Sequence, residues 1–288
     1  MKLIILSLIK DEQRYLEEWI EYHHNIGVDN FILVEDFNSS SHKIICDKYN
    51  YVKLYKIEDF LDKEYCSLLK SNTNNENNNR QHYIFLEFLE EYKKSKYDGD
   101  WLIFIDVDEF IEINNHKYDK LNLKNIIDKY YKENNNIEEL LIKWEYMTLE
   151  NPFIDLPYKY SVFDTYKKIS KIKPSKYISN KTKIILNLNN LNWFNENINI
   201  KTLKYFPHHI KLENVENIEY SDARLNHYMT KTWEEYYNRL INKGEQMNMK
   251  ANRTFENFFD INSHLPLSYK KYYLYKVKGQ KVKINNPI

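Results

Sequence analysis

Glycine, proline and cysteine are scarce in this sequence, and long hydrophobic runs are absent. The 288 residues include 4 glycines, 6 prolines and 2 cysteines. Cys46 and Cys66 cannot form a disulfide framework and lack metal-site spacing, so we expect buried thiols and a cytoplasmic protein. No apolar stretch approaches the roughly 18 residues of an ordinary membrane span, so we expect no transmembrane segment.

An excess of charge of one sign is also absent. The 42 basic side chains balance 42 acidic ones. A general nucleic-acid binder carries a basic surface, so we expect no nucleic-acid partner. The N-terminal "MKLIILSLI" runs directly into Lys10, Asp11 and Glu12 without a cleavage site, which argues against a signal peptide.

Strands and helices alternate in the first half. The apolar run "KLIILSLI" predicts a strand covered on both faces, while "NFILVED" and "YVKLYKI" predict the next two strands. A helix between the first two begins at Asp11 as N-cap and stops at Gly27. "WLIFIDVDEF" predicts a fourth strand. This alternation predicts an α/β fold with a mostly parallel central sheet flanked by helices.

Helical spacing of apolar residues marks further elements. The first helix has an apolar face that includes His23, which we interpret as a structural histidine bonded to a neighbour. A second apolar face predicts a helix over residues 81–92, after the Asn-rich "SNTNNENNNR", which we expect to be an exposed loop. The second half predicts a helix over 121–131, strands at "ELLIKWEYM" and "KTKIILNL", a short strand or turn at "YFPHHI", and a helix at "WEEYYNRLINKGEQ".

Asp106, Asp108 and Glu109 directly follow the predicted fourth strand. Ligands of open α/β sheets bind outside the carboxyl ends of the strands, so the position of these acids is informative. Two carboxylates one residue apart can bind Mg²⁺ or Mn²⁺, and such a cation beside a diphosphate neutralises its charge as it leaves. The alternative is that they are solvated turn residues, because short acidic motifs arise often by chance.

Three segments together resemble glycosyltransferase family 92 and related family 2-like enzymes. They are "IKDEQRYLEEWIEYHHNIGVDNFILVEDFNSSS", "DWLIFIDVDEFIEI" and "LNHYMTKTWEEYYNR". The resemblance implies a GT-A (Rossmann-like) fold, a divalent cation that is usually Mn²⁺ or else Mg²⁺, and a nucleotide-sugar donor, commonly a UDP-sugar. It favours transfer to a glycan hydroxyl with inversion.

The resemblance also implies roles for particular residues on the donor side. Asp106 and Asp108 correspond to the metal-binding acids. Asp36 corresponds to a contact with the base or ribose of the nucleotide, with Lys10 and Glu12 lining the same pocket.

Other candidates come from the later segment and from the remaining acids. His227 is a candidate for a further metal or diphosphate contact, and Lys231 for a diphosphate contact. Glu109 is expected to support the site or contact the donor sugar, and Gln81 stands where related sequences have a glutamine. Glu145 and Asp222 are candidates for the catalytic base, although either could be a surface acid.

We expect a single domain over residues 1–288, with a nucleotide-sugar and metal-binding half over 1–115 and an acceptor-binding half over 116–288. Two other functions remain open. One is a metal-dependent nucleotidyltransferase or other phosphoryl-transfer enzyme, which also uses paired acids at strand ends. The other is a non-catalytic glycan-binding protein on a transferase fold.

Overall fold

A computed structural model describes residues 1–71, 80–94, 97, 99–114, 122–153, 156, 160–169, 182–190, 212, 214–237, 255–265 and 268. Within these residues the strands are β1 Leu3–Ile9, β2 Asn30–Glu35, β3 Val52–Lys56, β4 Trp101–Phe104, β5 Glu109–Ile113, β6 Glu139–Thr148, β7 Lys168–Ile169, β8 Thr182–Asn187, β9 Val215–Asn217 and β10 Ala223–His227. The helices are α1 Leu16–Asn25, α2 Lys43–Cys46, α3 Ile57–Phe60, α4 Lys63–Ser71, α5 Arg80–Lys93, α6 Leu123–Glu133, α7 Val162–Thr165, α8 at 233–237 and α9 Phe255–Ile261.

The sheet has the strand order β3-β2-β1-β4-β8-β6-β10-β5. The strands β3, β2, β1 and β4 are parallel to one another, whereas β8 is antiparallel to both β4 and β6. The predicted α/β class with a mostly parallel central sheet is therefore confirmed. Because β1, β2 and β4 run the same way, the residues after them lie along one edge, here named the carboxyl edge.

The chain folds as two compact units made of interleaved segments. The first comprises Met1–Trp144 and Asn180–Asn226, and the second comprises Glu145–Ser179 and His227–Ile288. In the second unit, Met147 at the end of β6 pairs antiparallel with β7.

Both faces of β1 are buried, as its uninterrupted apolar sequence predicts. Ile4 and Leu6 belong to a cluster with Phe85 and Phe88 of α5. On the neighbouring strand Phe31 meets Trp19 of α1 edge to face at 5.7 Å. Helices therefore pack on the sheet and exclude water from its central strands.

The first helix confirms its predicted apolar face but not its predicted cap. The residues Leu16, Trp19, Ile20, His23 and Ile26 are all buried. The helix begins at Leu16 rather than beside Asp11, and no side chain caps its first turn. Asp11 as N-cap is therefore wrong. The predicted stop at Gly27 is confirmed, with φ +107° just past the helix end.

His23 is a buried structural histidine, as predicted. Its Nδ1 lies 2.8 Å from the carbonyl oxygen of Trp19, and the backbone N–H of Ile111 donates to its Nε2 at 3.3 Å. Because Nε2 accepts, the ring is neutral with its proton on Nδ1. Burial lowers the pKa of His23 from 6.5 to about 3, against the opposing effect of the Trp19 bond.

The fourth strand predicted in "WLIFIDVDEF" is confirmed as β4, which ends at Phe104, before the acids. The chain turns, because the backbone N–H of Glu109 donates to the Asp106 carbonyl at 3.0 Å and the Glu109 carboxylate accepts from the Asp106 N–H at 2.9 Å. Residues 109–113 then form β5, which is next to β10 in the sheet. The acids therefore occupy the turn between two strands.

The segments that follow β1 and β2 are joined by hydrogen bonds. We name this the β1–β2 loop contact, and its residues are Asp11, Glu12, Ser39, Ser40 and His42. Asp11 has φ +54°, a left-handed conformation that aspartate tolerates better than most residues. Its carboxylate accepts from the N–H and hydroxyl of Ser40 at 2.9 and 3.0 Å, and its own N–H donates to the Ser39 hydroxyl at 3.1 Å.

A buried histidine completes the β1–β2 loop contact. The Glu12 N–H donates to His42 Nε2 at 3.0 Å, so the ring donates from Nδ1 to Glu35 at 3.0 Å. His42 is fully buried and Glu35 nearly so. This chain of bonds fixes the backbone between Lys10 and Glu12 relative to the end of β2.

The remaining predicted elements are mostly confirmed. The strands at "YVKLYKI", "ELLIKWEYM" and "KTKIILNL" correspond to β3, β6 and β8, and the helices predicted at 81–92 and 121–131 correspond to α5 and α6. The helix predicted from Trp233 is described over 233–237, and its continuation, "YFPHHI" and most of the Asn-rich segment lie outside the described residues. Among the described helices, none combines the length and apolarity required to cross a membrane.

The burial of His23 predicts a pH-dependent stability. The unfolded chain takes up a proton near pH 6.5 while the folded chain does not until about pH 3. Stability should therefore fall as pH falls through this window, by about 1.4 kcal/mol per pH unit below roughly pH 6. The free energy of unfolding, measured with urea at pH 5.5 and at pH 7.5, should differ less between the two pH values in His23→Gln than in wild type. The control is His24→Gln, on the exposed side of α1, whose unfolding free energy should change between the two pH values as much as that of wild type. An equal change in all three proteins would contradict the assignment.

Removing the ring of His42 should loosen the β1–β2 loop contact. His42→Phe leaves the Glu35 carboxylate buried without its ring partner, which should cost about 1–3 kcal/mol of unfolding free energy by urea denaturation. Ser40→Ala removes an exposed bond to Asp11 and should cost less. A loss in Ser40→Ala as large as in His42→Phe would show that burial of the ring is not what matters.

Candidate active site

The carboxyl edge brings together predicted site residues from three strand ends. Ile9 pairs with Glu35, and Leu6 pairs with Phe104, so Lys10, Asp36 and the acids after β4 follow neighbouring strands. Ligands of open α/β sheets bind outside this edge.

The first turn of α5 contacts acids from two of these strand ends. Arg80 donates from one nitrogen to both carboxylate oxygens of Asp36, at 2.8 and 2.6 Å. The next residue, Gln81, donates to Asp106 Oδ1 at 3.0 Å. Lys10 Nζ lies 3.7 Å from Asp36 Oδ2. One helix terminus thus holds Asp36 and Asp106 in place.

Asp106 is held on its other oxygen by a buried lysine. Lys183 Nζ lies 2.9 Å from Asp106 Oδ2 and 3.0 Å from Glu109 Oε2. The Asp106 side chain is 34% exposed, whereas those of Lys183 and Glu109 are 2% and 0% exposed. Of these three groups, only Asp106 therefore presents substantial surface to a ligand.

Glu109 lies beneath the exposed acid. Its Oε2 accepts from the Asp106 N–H and from Lys183, while its Oε1 is buried and has no hydrogen-bond partner among the residues that the structure describes. Burial raises the pKa of Glu109 to about 8, with Lys183 opposing and the charges of Asp106 and Asp108 adding to the rise. Asp108 is also buried, at 3% exposure.

Lys183 keeps its proton in this environment. Burial lowers its pKa, but the carboxylates of Asp106 and Glu109 outweigh that effect, so the pKa lies above its ordinary value. The raised pKa values of Lys183 and Glu109 are compatible because Asp106 gives the ammonium a carboxylate partner in either form of Glu109.

The second unit contains three of the predicted site residues. His227 is buried, and its ring stacks on Tyr146 with centroids 5.4 Å apart. Lys231 is buried and has φ +47°, a strained backbone of the kind that clusters at functional sites. Glu145 is half-buried on β6.

The strained backbone of Lys231 is followed by a capping box. The Thr232 N–H donates to the Glu235 carboxylate at 3.2 Å, and the Glu235 N–H donates to the Thr232 hydroxyl at 3.3 Å. These reciprocal bonds begin α8 and fix the chain directly after Lys231.

Asp222, in the first unit, is fully buried. Its Oδ2 accepts from Lys129 at 2.7 Å and from the Tyr130 hydroxyl at 3.0 Å, both on α6. This carboxylate therefore joins α6 to the residue before β10.

Sequence reasoning missed Lys183 and Arg80. Lys183 stands at the start of an otherwise apolar strand, "KIILN", and a charge in such a run needs a buried partner, which is a usable signal. Arg80 follows a run of asparagines and carries no signal of its own, because its partner Asp36 is distant in sequence.

Comparison with known proteins identifies a family. The model of "Glycosyltransferase family 92" matches residues 7–264. No curated protein matches the sequence significantly.

Several solved structures match with low sequence identity. A crystal structure of S. aureus TarS 1–349 has 14% identity and a TM-score of 0.45, covering 86% of this chain and 66% of that one. A mycobacterial protein has 11% identity, a TM-score of 0.30 and coverage of 50% and 41%. Glucosyl-3-phosphoglycerate synthase from Mycobacterium tuberculosis, in complex with Mn²⁺, UDP and glucosyl-3-phosphoglycerate, has 12% identity, a TM-score of 0.29 and coverage of 50% and 44%. The chain thus spans less than two thirds of each of these structures.

The family match extends from β1 to the end of the described second unit. It takes in the carboxyl edge, the acids after β4 and the segment around His227, and with the central α/β sheet it confirms the predicted GT-A fold. This chain belongs to glycosyltransferase family 92.

Proposed function

We propose that this chain transfers a sugar from a nucleotide sugar, most simply a UDP-sugar, to a hydroxyl group of a glycan with inversion at the anomeric carbon. Family membership supports the reaction class. The observation that carries the proposal is the Asp106 carboxylate. It is partly exposed at the carboxyl edge, directly after the fully buried strand β4. Two buried free cysteines fit the proposal of a cytoplasmic protein.

The donor atoms of the acids after β4 are suitable ligands for a hard divalent cation. The acids offer carboxylate oxygens, and the Asp106 carboxylate is 34% exposed. Within the described parts of the chain, no group of three or more His, Cys, Asp or Glu side chains is arranged as a metal site. Mg²⁺ is commonly bound by only one or two carboxylates together with substrate phosphates, which suits this arrangement.

Asp106 and Asp108 would therefore hold Mn²⁺ or Mg²⁺. The cation would supply charge neutralisation at the departing diphosphate. Lys231 would contact the diphosphate as a point charge, and His227 would add a contact to the cation or the diphosphate. Glu109 would support Asp106 from below, since its Oε2 already bonds the Asp106 N–H and Lys183.

Asp36 would orient the nucleotide from the end of β2, beside Lys10 and Glu12. A carboxylate offers about four acceptor sites. Three are used here, two by Arg80 and one by the Phe37 N–H at 2.9 Å. One site therefore remains for a donor group of the ribose or base, and the two bonds from Arg80 align the acid.

The general base must be able to reach the acceptor hydroxyl. Asp222 is fully buried between Lys129 and Tyr130, whereas Glu145 is half-buried. We therefore propose Glu145 as the base and assign Asp222 a structural role.

The proposal predicts that Asp106→Asn and Asp108→Asn lose Mn²⁺-dependent release of the nucleoside diphosphate from nucleotide sugars. Each should fall by at least about 100-fold, because an electrostatic contact to the reacting group is lost. Both should fold, since the amide retains the size of the acid. The assay uses a panel of nucleotide sugars with Mn²⁺ and with EDTA.

Asp128→Asn is the matched control. It removes a half-exposed carboxylate that pairs with Lys132 on α6, away from the carboxyl edge, and should keep wild-type activity. Full Mn²⁺-dependent activity in either Asp106→Asn or Asp108→Asn would rule out the site. Release of pyrophosphate or a nucleoside monophosphate would favour the nucleotidyltransferase alternative, and no release from any sugar would favour a binding protein.

A further inference from the structure

Lys183 is an ammonium buried inside the sheet. It is the second residue of β8 and is followed by three buried apolar residues, Ile184, Ile185 and Leu186. Ile103 of β4 pairs antiparallel with Ile185, so Lys183 enters the sheet beside the chain that leaves β4. The antiparallel neighbour on its other side is Ile142 of β6. A charge in such surroundings is costly unless it is paired.

The partners of this ammonium are the acids of the turn after β4. Lys183 Nζ bonds Asp106 Oδ2 at 2.9 Å and Glu109 Oε2 at 3.0 Å. The Trp144 ring lies 6.0 Å away, within reach of a cation–π contact. At 2% exposure the ammonium lies too deep to be a contact for a nucleotide or sugar.

The two oxygens of Asp106 are held from opposite elements. Gln81 of α5 holds Oδ1 at 3.0 Å, and Lys183 of β8 holds Oδ2. We name these two residues the carboxylate clamp. Two bonds to two oxygens fix both torsions of an aspartate side chain, while an acid held by one bond keeps a rotational freedom that metal binding would have to remove.

We propose that the carboxylate clamp is a positioning device that presets the Asp106 carboxylate for the divalent cation, with Glu109 Oε2 as a second, buried hydrogen-bond partner of Lys183. This inference rests on the proposed function. Outer-shell partners of a metal ligand typically contribute about 10–100-fold to metal affinity.

A competing account treats Lys183 as a resident cation that opposes metal binding. The two accounts predict opposite changes in Mn²⁺ affinity when Lys183 is removed. If Lys183 only competes for Asp106, its removal should tighten Mn²⁺ binding, because one positive charge disappears beside the acids. If Lys183 positions Asp106, its removal should weaken Mn²⁺ binding despite the more negative site.

The test is a titration of the purified protein with Mn²⁺, with and without UDP. Electron paramagnetic resonance measures the concentration of free Mn²⁺ at each step. Lys183→Met keeps the aliphatic stem and removes the charge, and its Kd for Mn²⁺ should rise by about 10–100-fold. Gln81→Ala removes the other half of the clamp without burying an unpaired charge. It should also raise Kd, and it keeps the inference testable if Lys183→Met fails to fold.

Lys124→Met is the matched control. Lys124 pairs with Asp29 at 2.7 Å in the same unit, and both side chains are about as exposed as that of Asp106. This variant should lose stability by thermal unfolding and keep the wild-type Kd, so it separates loss of a salt bridge from loss of positioning.

The outcomes separate the inference from the proposed function. A wild-type protein that binds Mn²⁺ while Lys183→Met or Gln81→Ala binds it equally well or more tightly would overturn the inference alone. A wild-type protein that does not bind Mn²⁺ with or without UDP would overturn the metal-dependent function, and the inference with it.

Discussion

The buried ammonium of Lys183 is the constraint around which the carboxyl edge is arranged. A charge at this depth needs polar partners nearby, and these are the Asp106 carboxylate and Glu109 Oε2. The chain turns after β4, and the Glu109 carboxylate closes that turn on the Asp106 N–H. The turn between β4 and β5 thus holds both acids against the same ammonium.

Helix α5 couples the same site to the core. Its apolar side contributes Phe85 and Phe88 to the cluster that covers one face of β1 and β4. Its first turn contributes Arg80 and Gln81, which hold the acids after β2 and β4. A helix fixed by burial thus sets the spacing of two polar side chains, which is how a rigid scaffold preorganises a binding site.

Local patterns in the sequence were sufficient for most elements before β5 and for part of the site. The apolar face of α1, the buried β1 and the stop at Gly27 follow from residues close together in the chain, where spacing alone carries the signal. His23 could be predicted as a structural histidine for the same reason. Asp11 could not, because the choice between capping a helix and bonding Ser40 depends on how close two loops come.

The partners of the acids could not be predicted either. Asp106 and Lys183 are 77 positions apart. Only the register of β8 against β4 brings them together. An acid motif read along the chain therefore indicates where a ligand binds, but not which neighbours set the direction and charge of each acid.

Glu109 shows why those neighbours matter to function. Along the chain it is the third acid of a cluster and looks equivalent to Asp106. In the fold one oxygen is shared between Lys183 and the Asp106 N–H, and the whole side chain is inaccessible. Both acids bond the same ammonium, but the Glu109 side chain is fully buried whereas that of Asp106 is 34% exposed. Burial thus divides one acidic cluster into a carboxylate that is inaccessible and a carboxylate that keeps surface for a ligand.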